Sequence, residues 1–238
     1  MNHINNVIRK VLNSVYPSVC PVCQQTVARP GVCQECIGTI KLIGDRGCAV
    51  CGKPLARGEA GRCQACRSMP KQFDCNYVLV EYKGQAQLSI YNFKYSNARS
   101  FAEGYARMFF DAYGHQLDRY NIDAVIPVPM SRSKLKKRGY NQAEVWAASL
   151  ARELNKPLDA KALIRNRDTL PMKELSSRMR IENLRGAFSI NKNIIGKYRT
   201  VLLVDDIFTT GATLDECALM LKKAGVQKVY GACIAAGD

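Results

Sequence analysis

The chain has 238 residues, 47% of them hydrophobic, which is enough for one full α/β domain and a small accessory module. This composition excludes wholesale disorder, and no apolar run approaches the length of a membrane span. Thirty-five Lys and Arg residues against 20 Asp and Glu give a formal charge of +15, which favours polyanionic partners such as phosphorylated substrates or nucleic acid.

Residues 1–19 are predicted to form an amphipathic helix. Apolar side chains recur at three- and four-residue spacing from Ile4 to Val15, with Arg9 and Lys10 beside them. A basic stripe of this kind can touch a membrane surface. We favour packing against the rest of the protein, because most such stripes cover their own core.

Residues 20–66 hold four CxxC pairs, and each pair can place two thiolates on one metal ion. Two pairs complete a tetrahedral Cys₄ site, so the segment predicts two structural zinc ions. Pairing in chain order gives a double zinc ribbon, whereas a cross-braced arrangement uses the same residues. Sequential pairing is preferred because it closes shorter loops. The eight ligands are Cys20, Cys23, Cys33, Cys36, Cys48, Cys51, Cys63 and Cys66.

The cysteine content also bears on the compartment and on the role of the module. Eleven cysteines without a secretory signal favour metal binding in a reducing cytoplasm over a disulfide framework. The ribbons could contact nucleic acid, or they could serve as a scaffold or partner-docking lid. Both roles stay open at this point.

Residues 67–76 lose the cysteine pattern and are predicted to link the ribbons to a second domain at 77–238. Strands alternate with helices in this domain, which predicts a parallel sheet covered on both faces. The expected elements are a strand at 77–82, two helices within 85–117, a strand at 123–127, a helix from about Asn141, a strand at 201–205, a helix at 212–224 and a strand at 227–234.

A basic run lies between the second strand and the helix at Asn141, in a stretch predicted to be a loop. Five cations fall within seven residues, and they share a sheet edge with the acidic pair described below. A charge run is usually a solvated face, but at this edge it favours contact with phosphate. The cations are Arg132, Lys134, Lys136, Lys137 and Arg138.

Residues 165–188 contain six Lys or Arg and three acidic residues, with little hydrophobic pattern before Leu184. Such a segment suits a mobile lid, which is polar when open and basic when closed over an anion. An ordinary amphipathic surface helix over 172–183 is the alternative.

The run VLLVDDIFTTGAT, residues 201–213, is the most informative stretch of the second domain. A buried strand leads into Asp205 and Asp206, at the edge where open α/β sheets bind ligands. The turn that follows can aim backbone N–H groups and hydroxyls at an anion on a helix N-terminus. Together these features predict a site for a sugar phosphate, and the lysine of a Walker A loop is missing. The residues of the turn are Thr209, Thr210, Gly211, Ala212 and Thr213.

This run resembles the phosphoribosyl-pyrophosphate (PRPP) signature of type I phosphoribosyltransferases. The resemblance implies that Asp205 and Asp206 hold the ribose hydroxyls, that residues 209–213 cradle the 5′-phosphate, and that Mg²⁺ accompanies PRPP.

The combination of the zinc pattern with RGYNQAE (138–144), Arg180–Asn183 and VDDIFTTGAT resembles the ComF/GntX family of bacterial competence-associated proteins. That resemblance covers nearly the whole chain and implies a Rossmann-like parallel sheet with a flexible hood over the site. The hood would span 165–183, with Met172 where the family usually has glutamine. The implied pyrophosphate loop contains Ser131, Arg132 and Arg138, and the implied lid residues are Arg165, Arg167, Arg180 and Asn183.

Two functions follow as hypotheses. The first is a PRPP-binding protein of DNA uptake or DNA utilisation that binds single-stranded DNA and contacts protein partners of the uptake machinery. The second is an active phosphoribosyltransferase whose acceptor the sequence does not identify. The ribbons and the positive charge favour the first, and the acidic pair requires PRPP binding in either.

Overall fold

The computed structural model describes residues 18–170 and 176–237. Most of the predicted N-terminal helix (residues 1–17) and Met172 lie outside these described residues. Within these described ranges, two short 3₁₀ helices, Gly44–Arg46 and Lys192–Ile194, accompany the regular elements. In chain order these are α1 (Gln34–Ile37), α2 (Gln64–Ser68), β1 (Cys75–Glu81), α3 (Gly84–Tyr95), α4 (Phe101–Asp118), β2 (Ala124–Pro127), α5 (Arg132–Arg138), α6 (Gln142–Glu153), β3 (Leu163–Arg165), α7 (Ser177–Leu184), β4 (Phe188–Ile190), β5 (Thr200–Phe208), α8 (Ala212–Lys223) and β6 (Lys228–Ala236).

The central sheet has four parallel strands in the order β1-β6-β5-β2. Successive residues of β5 point to opposite faces, as a strand requires. Leu202 and Val204 enter a core with α3, α4 and α6, whereas Val201 and Leu203 enter a second core with α8. The predicted parallel sheet with two covered faces is therefore confirmed.

Helix α5 differs from the prediction, because the basic run at 132–138 is helical and not a loop. Lysine, arginine and leucine are good helix formers, which outweighs the lack of an apolar stripe. Gly139 ends the helix in the left-handed conformation with φ +80°, which suits glycine. Helix α5 therefore fixes the positions of these cations relative to one another.

The segment predicted as a lid has a folded base. Strands β3 and β4 pair antiparallel, from Leu163 opposite Ile190 to Arg165 opposite Phe188. Helix α7 lies between them in sequence, and the backbone N–H of Gly186 donates to Glu216 of α8 at 2.8 Å. The two ends of the segment are thus tied to each other, and the C-terminal end is also tied to α8.

Both halves of the cysteine module pack against the sheet domain. A Cβ added to Gly104 of α4 would lie 3.2 Å from Pro21 Cδ, so the first half fits closely there. In the second half, the side-chain amide of Asn76 donates to the Cys51 carbonyl at 2.9 Å. The backbone N–H of Asn76 also donates to the Val50 carbonyl at 2.8 Å. The module is therefore part of the domain surface.

Strand β1 lies at one edge of the sheet, and residues 41–43 cover its outer side. The Ile43 N–H donates to the Leu79 carbonyl at 3.0 Å, and the Glu81 N–H donates to the Lys41 carbonyl at 2.9 Å. The segment between the two cysteine clusters thus satisfies backbone groups that an edge strand leaves unpaired.

Candidate functional site

The eight predicted zinc ligands form two separate Cys₄ clusters, in which the ligand atoms lie within 4.8 Å of one another. The Sγ atoms of Cys23 and Cys33 are 3.7 Å apart, as are those of Cys51 and Cys63. Tetrahedral zinc with bonds of about 2.3 Å would separate its sulfurs by about 3.8 Å, so the clusters fit zinc. The first cluster contains Cys20, Cys23, Cys33 and Cys36, and the second contains Cys48, Cys51, Cys63 and Cys66. Pairing is sequential, and the cross-braced alternative is excluded.

The two clusters repeat one local design. The Cys33 N–H donates to Cys20 Sγ at 3.4 Å, and the Cys63 N–H donates to Cys48 Sγ at 3.3 Å. Such donors stabilise negative charge on a sulfur. The thiolates that zinc requires therefore have matching backbone support in both ribbons.

The acidic pair lies within β5 and not beyond its end, because β5 continues to Phe208 and pairs with β6 throughout. The Asp206 N–H donates to Asp205 Oδ1 at 2.8 Å. Lys94 of α3 places Nζ 3.0 Å from Asp206 Oδ2. The Asp205 carboxylate thus accepts a backbone hydrogen bond from Asp206, and the Asp206 carboxylate binds one ammonium group.

The pKa of Asp205 is raised to about 7, mainly by burial and also by the negative charge of the adjacent Asp206 carboxylate. The Asp206 N–H, Lys94 and Arg165 oppose the rise because they favour the charged form. The Asp205 carboxyl therefore exchanges its proton near neutral pH and gains most from a partner that donates hydrogen bonds or carries positive charge.

The turn after β5 is built around Gly211, which precedes α8 with φ +79°. A Cβ at this position would lie 2.5 Å from Phe208 Cζ, so the ring supports the turn from beneath. The first N–H groups of a helix have no intrahelical acceptor, and here they belong to Ala212 and Thr213. Within the predicted phosphate-binding turn, the Ala212 N–H donates to the Thr210 hydroxyl oxygen at 3.4 Å.

A cavity of about 420 Å³ opens beside the acidic pair. Asp205, Asp206, Thr209 and Thr213 line it together with several cations. Burial lowers the pKa of Lys134, as do the neighbouring charges of Arg165, Arg138 and Lys94 in that order. Cations that lower one another's pKa values form a region of positive potential, which favours the binding of an anion. The cavity cations are Lys94, Lys134, Arg138, Arg165 and Arg180.

The residues of the implied pyrophosphate loop are placed differently from one another. Arg138 lines the cavity and donates to Gln142 Oε1 at 2.9 Å. Ser131 is buried at the start of α5, and Arg132 is exposed and is not among the residues lining the cavity. Hydrogen bonds from Ser131 and Ser133 lower the pKa of Asp168, a carboxylate contributed by the lid segment.

The implied lid residues also divide into two groups. Arg165 and Arg180 line the cavity. Arg167 donates to the carbonyls of Asn183 and Arg185, each at 3.1 Å. The Asn183 side chain pairs with the backbone of Leu170 in both directions, also at 3.1 Å. Arg167 and Asn183 thus connect parts of the lid segment to one another, and neither lines the cavity.

Helix α3 contributes site residues that sequence reasoning missed, namely Lys94, Tyr91 and Tyr95. No motif surrounds them, and only the tertiary fold brings the helix to the acidic pair. Lys134 stood in the basic run, but its place in the cavity depends on the helical form of α5.

Among the residues with described positions, no helix is long and apolar enough to cross a membrane. Residues 11–67 match a double zinc ribbon domain, and residues 94–238 match a phosphoribosyl transferase domain.

Curated relatives align with most of the chain. Competence protein F of Haemophilus influenzae is 32% identical over 208 residues, which is 85% of this chain and 89% of the relative. DNA utilization protein YhgH of Escherichia coli strain K12 is 26% identical over 226 residues, 92% of this chain and 96% of the relative. Competence protein ComFC of Bacillus subtilis is 25% identical over 202 residues, 82% of this chain and 79% of the relative.

Proposed function

Because this chain belongs to the competence protein F family, with its phosphoribosyl transferase domain, we propose that it binds PRPP and acts in the uptake or utilisation of DNA. In this role it binds single-stranded DNA, works in the cytoplasm and contacts proteins of the uptake machinery. The names of the relatives support the DNA-related role, and the cavity beside Asp205 supports the ligand.

One observation supports the PRPP proposal. A single cavity is lined by two carboxylates, by the turn at residues 209–213, which we call the phosphate-type turn because its N–H groups and hydroxyls suit an anion, and by a cluster of cations. Carboxylates alone would repel a phosphate, and cations alone would leave the acidic pair unexplained. PRPP has hydroxyls for Asp205 and Asp206, a 5′-phosphate for the turn at 209–213, and a pyrophosphate for Lys134, Arg138 and Arg165. This division of contacts uses both carboxylates, the turn and three of the five cavity cations.

Magnesium fits the same arrangement, because Mg²⁺ prefers oxygen ligands and usually binds through one or two carboxylates together with substrate phosphates. Asp205 and Asp206 are the residues that would hold it near the sugar. When bound, Mg²⁺ neutralises phosphate charge. The chain's own contribution is to orient the sugar on the carboxylates and to surround the pyrophosphate with cations.

Calorimetry with PRPP and Mg²⁺ tests the site. The wild-type chain should bind, and Asp205→Ala/Asp206→Ala should lose the heat signal. Asp111→Ala/Asp118→Ala removes the same charge from exposed positions of α4 and is the matched control. Binding of PRPP by the cavity double variant at wild-type affinity would refute the site.

Binding of single-stranded DNA is tested by its salt dependence. A formal charge of +15 predicts phosphate contacts, so the affinity should fall steeply as salt is raised. An oligonucleotide without a fixed sequence, titrated at several salt concentrations, gives the slope. Absence of binding at low salt would remove the DNA-binding part of the proposal.

Catalytic phosphoribosyl transfer is the second candidate, and the cation cluster around Lys134 favours it. A nitrogen nucleophile would form a bond to C1 of PRPP while the bond from C1 to the pyrophosphate oxygen breaks, and the electron pair leaves with pyrophosphate. Lys134, Arg138 and Arg165 would stabilise that leaving group. Release of pyrophosphate in a screen of nitrogenous acceptors separates an enzyme from a binding protein.

A further inference from the structure

Helix α3 carries an exposed apolar stripe at the rim of the cavity. Leu88, Tyr91 and Tyr95 follow one another at spacings of three and four residues, so they share one face. Their exposed fractions are 58%, 57% and 53%. Large apolar side chains grouped in this way mark a surface that another molecule covers.

The two tyrosines form a ring platform with a cation at its side. The ring centroids of Tyr91 and Tyr95 are 4.8 Å apart, and Arg138 Cζ lies 4.8 Å from the centroid of Tyr95. Arg138 also donates to the Tyr95 hydroxyl at 3.0 Å. The ring of Tyr95 is therefore held in place by contacts on its own protein, while more than half of the residue stays accessible.

The surroundings of the platform are strongly basic. Helix α5, which supplies Arg138, also carries the exposed Lys136 and Lys137. Within residues 18–170 and 176–237, neither of these lysines forms an ion pair. In the ribbons, Arg46 pairs with Glu81 at 3.6 Å and Arg67 pairs with Glu59 at 3.4 Å. Helix α5 thus places uncompensated positive charge beside the tyrosines.

PRPP contains no planar ring, so the platform is not explained by the ligand proposed for the cavity. Aromatic faces interleaved with cations are the arrangement that binds single-stranded nucleic acid, where bases stack and phosphates meet lysine or arginine. We propose that Tyr91 and Tyr95, the latter held in place by Arg138, form the base-stacking surface for single-stranded DNA, with Lys136 and Lys137 of α5 holding its phosphates. This inference rests on the proposed DNA binding and names its surface, and it makes the zinc ribbons a scaffold.

The surface places the strand at the mouth of the cavity. Tyr91, Tyr95 and Arg138 line the same cavity as Asp205 and Asp206. Bases stacked on the two tyrosines would therefore lie next to PRPP, on the same side of the sheet domain. The two ligands would therefore be bound next to each other on one face of the protein.

Fluorescence anisotropy with a labelled single-stranded oligonucleotide tests the platform. Stacking on an aromatic side chain is worth about 1–3 kcal/mol per base, so Tyr91→Ala/Tyr95→Ala should weaken binding at least about 10-fold. Tyr91→Phe/Tyr95→Phe keeps both rings and should bind within about 2-fold of wild type. Ile195→Ala, at an exposed apolar position outside the cavity, is the control for surface truncation.

The salt dependence separates the two halves of the surface. Lys136→Ala/Lys137→Ala should reduce the slope of log affinity against log salt by about 1.4, since each phosphate contact on a single strand contributes about 0.7 to it. The alanine variant of the two tyrosines should keep the wild-type slope. A second pair, Arg57→Ala/Arg62→Ala in the second ribbon, should leave both affinity and slope unchanged.

Three outcomes decide the inference. Loss of affinity in the tyrosine-to-alanine variant with retention in the phenylalanine variant supports it. Wild-type affinity in the alanine variant, or a loss confined to the ribbon variant, overturns it while leaving DNA binding intact. A wild-type chain that binds no oligonucleotide overturns the DNA-binding proposal and this inference together, and PRPP calorimetry still judges the cavity separately.

Discussion

Lys94 Nζ lies 3.0 Å from Asp206 Oδ2, and this ion pair joins helix α3 to the acidic pair of β5. Both side chains are mostly buried, so the interaction is weakly screened by solvent. Any ligand that binds Asp206 must share it with the Lys94 ammonium or displace it.

Replacement of Lys94 should change the titration of Asp205. Lys94 is one of the charges that oppose the rise in the pKa of Asp205, so Lys94→Met should move that pKa above its present value of about 7. Carbon-detected NMR titration of the aspartate carboxyls measures the shift. Lys192→Met, at an exposed position, is the control, and an Asp205 pKa unmoved by Lys94→Met would contradict the ion pair.

The Asp205 carboxyl should cost stability at neutral pH. The folded pKa of Asp205, about 7, lies above its ordinary value of 3.8, so the folded state binds more protons between these values. Stability contributed by this group is therefore greatest at low pH and falls as pH rises through about 4 to 7.

Asp205→Asn should remove that cost and raise the melting temperature by roughly 2–6 °C near pH 8, with a smaller gain near pH 6. The variant should also bind PRPP more weakly, because an amide lacks the charge of the carboxylate. Thermal unfolding at both pH values, with Asp111→Asn as the control, measures the difference. A gain that grows toward acid pH would show the wrong sign.

Gly211 should tolerate no side chain. Gly211→Ala places a Cβ 2.5 Å from Phe208 Cζ at a φ of +79°, so it meets both a clash and a strained backbone. Gly58→Ala has a similar φ of +86° but nothing within 4 Å, and it isolates the backbone cost. We expect about 1 kcal/mol for Gly58→Ala and about 2–4 kcal/mol for Gly211→Ala in urea unfolding. Equal losses would mean that the Phe208 ring moves aside freely.

The second ribbon should influence the phosphate-type turn. Phe73, which follows this ribbon, meets Phe208 edge-on with ring centroids 6.1 Å apart, and Lys71 Nζ lies 3.5 Å from the Thr210 carbonyl oxygen. Cys48→Ser and Cys23→Ser should each lower the zinc content from two ions to one per chain. Only Cys48→Ser should also weaken PRPP binding, by several-fold, in parallel calorimetry and metal analysis. Equal PRPP affinity in the two variants would contradict this support.

Sequence reasoning reached the parts of the protein that are local in the chain. The CxxC pairs and the run from Asp205 to Thr213 hold their chemistry within a few residues, so spacing alone identified the zinc clusters and placed the turn. The structure and the family match confirm the predicted double ribbon, and the structure confirms the predicted parallel sheet.

The residues that sequence reasoning missed depend on distant contacts. Lys94 and Tyr95 reach the cavity because α3 packs beside β5, and no local pattern records that packing. The helical form of α5 was missed because its residues have helix propensity but no apolar stripe. Likewise, β5 extends to Phe208 because β6 supplies a partner along its whole length, despite two charged residues in the middle.

The cover that residues 41–43 place on β1 determines how this protein could be shortened. A chain cut back to the sheet domain would present the Leu79 carbonyl and the Glu81 N–H to solvent along a strand whose side chains are largely apolar. Bare edges of this kind recruit a strand from a second molecule. The sheet domain expressed alone from β1 onward should therefore self-associate, so that inactivity of such a fragment would reflect a missing neighbour and say nothing about its cavity.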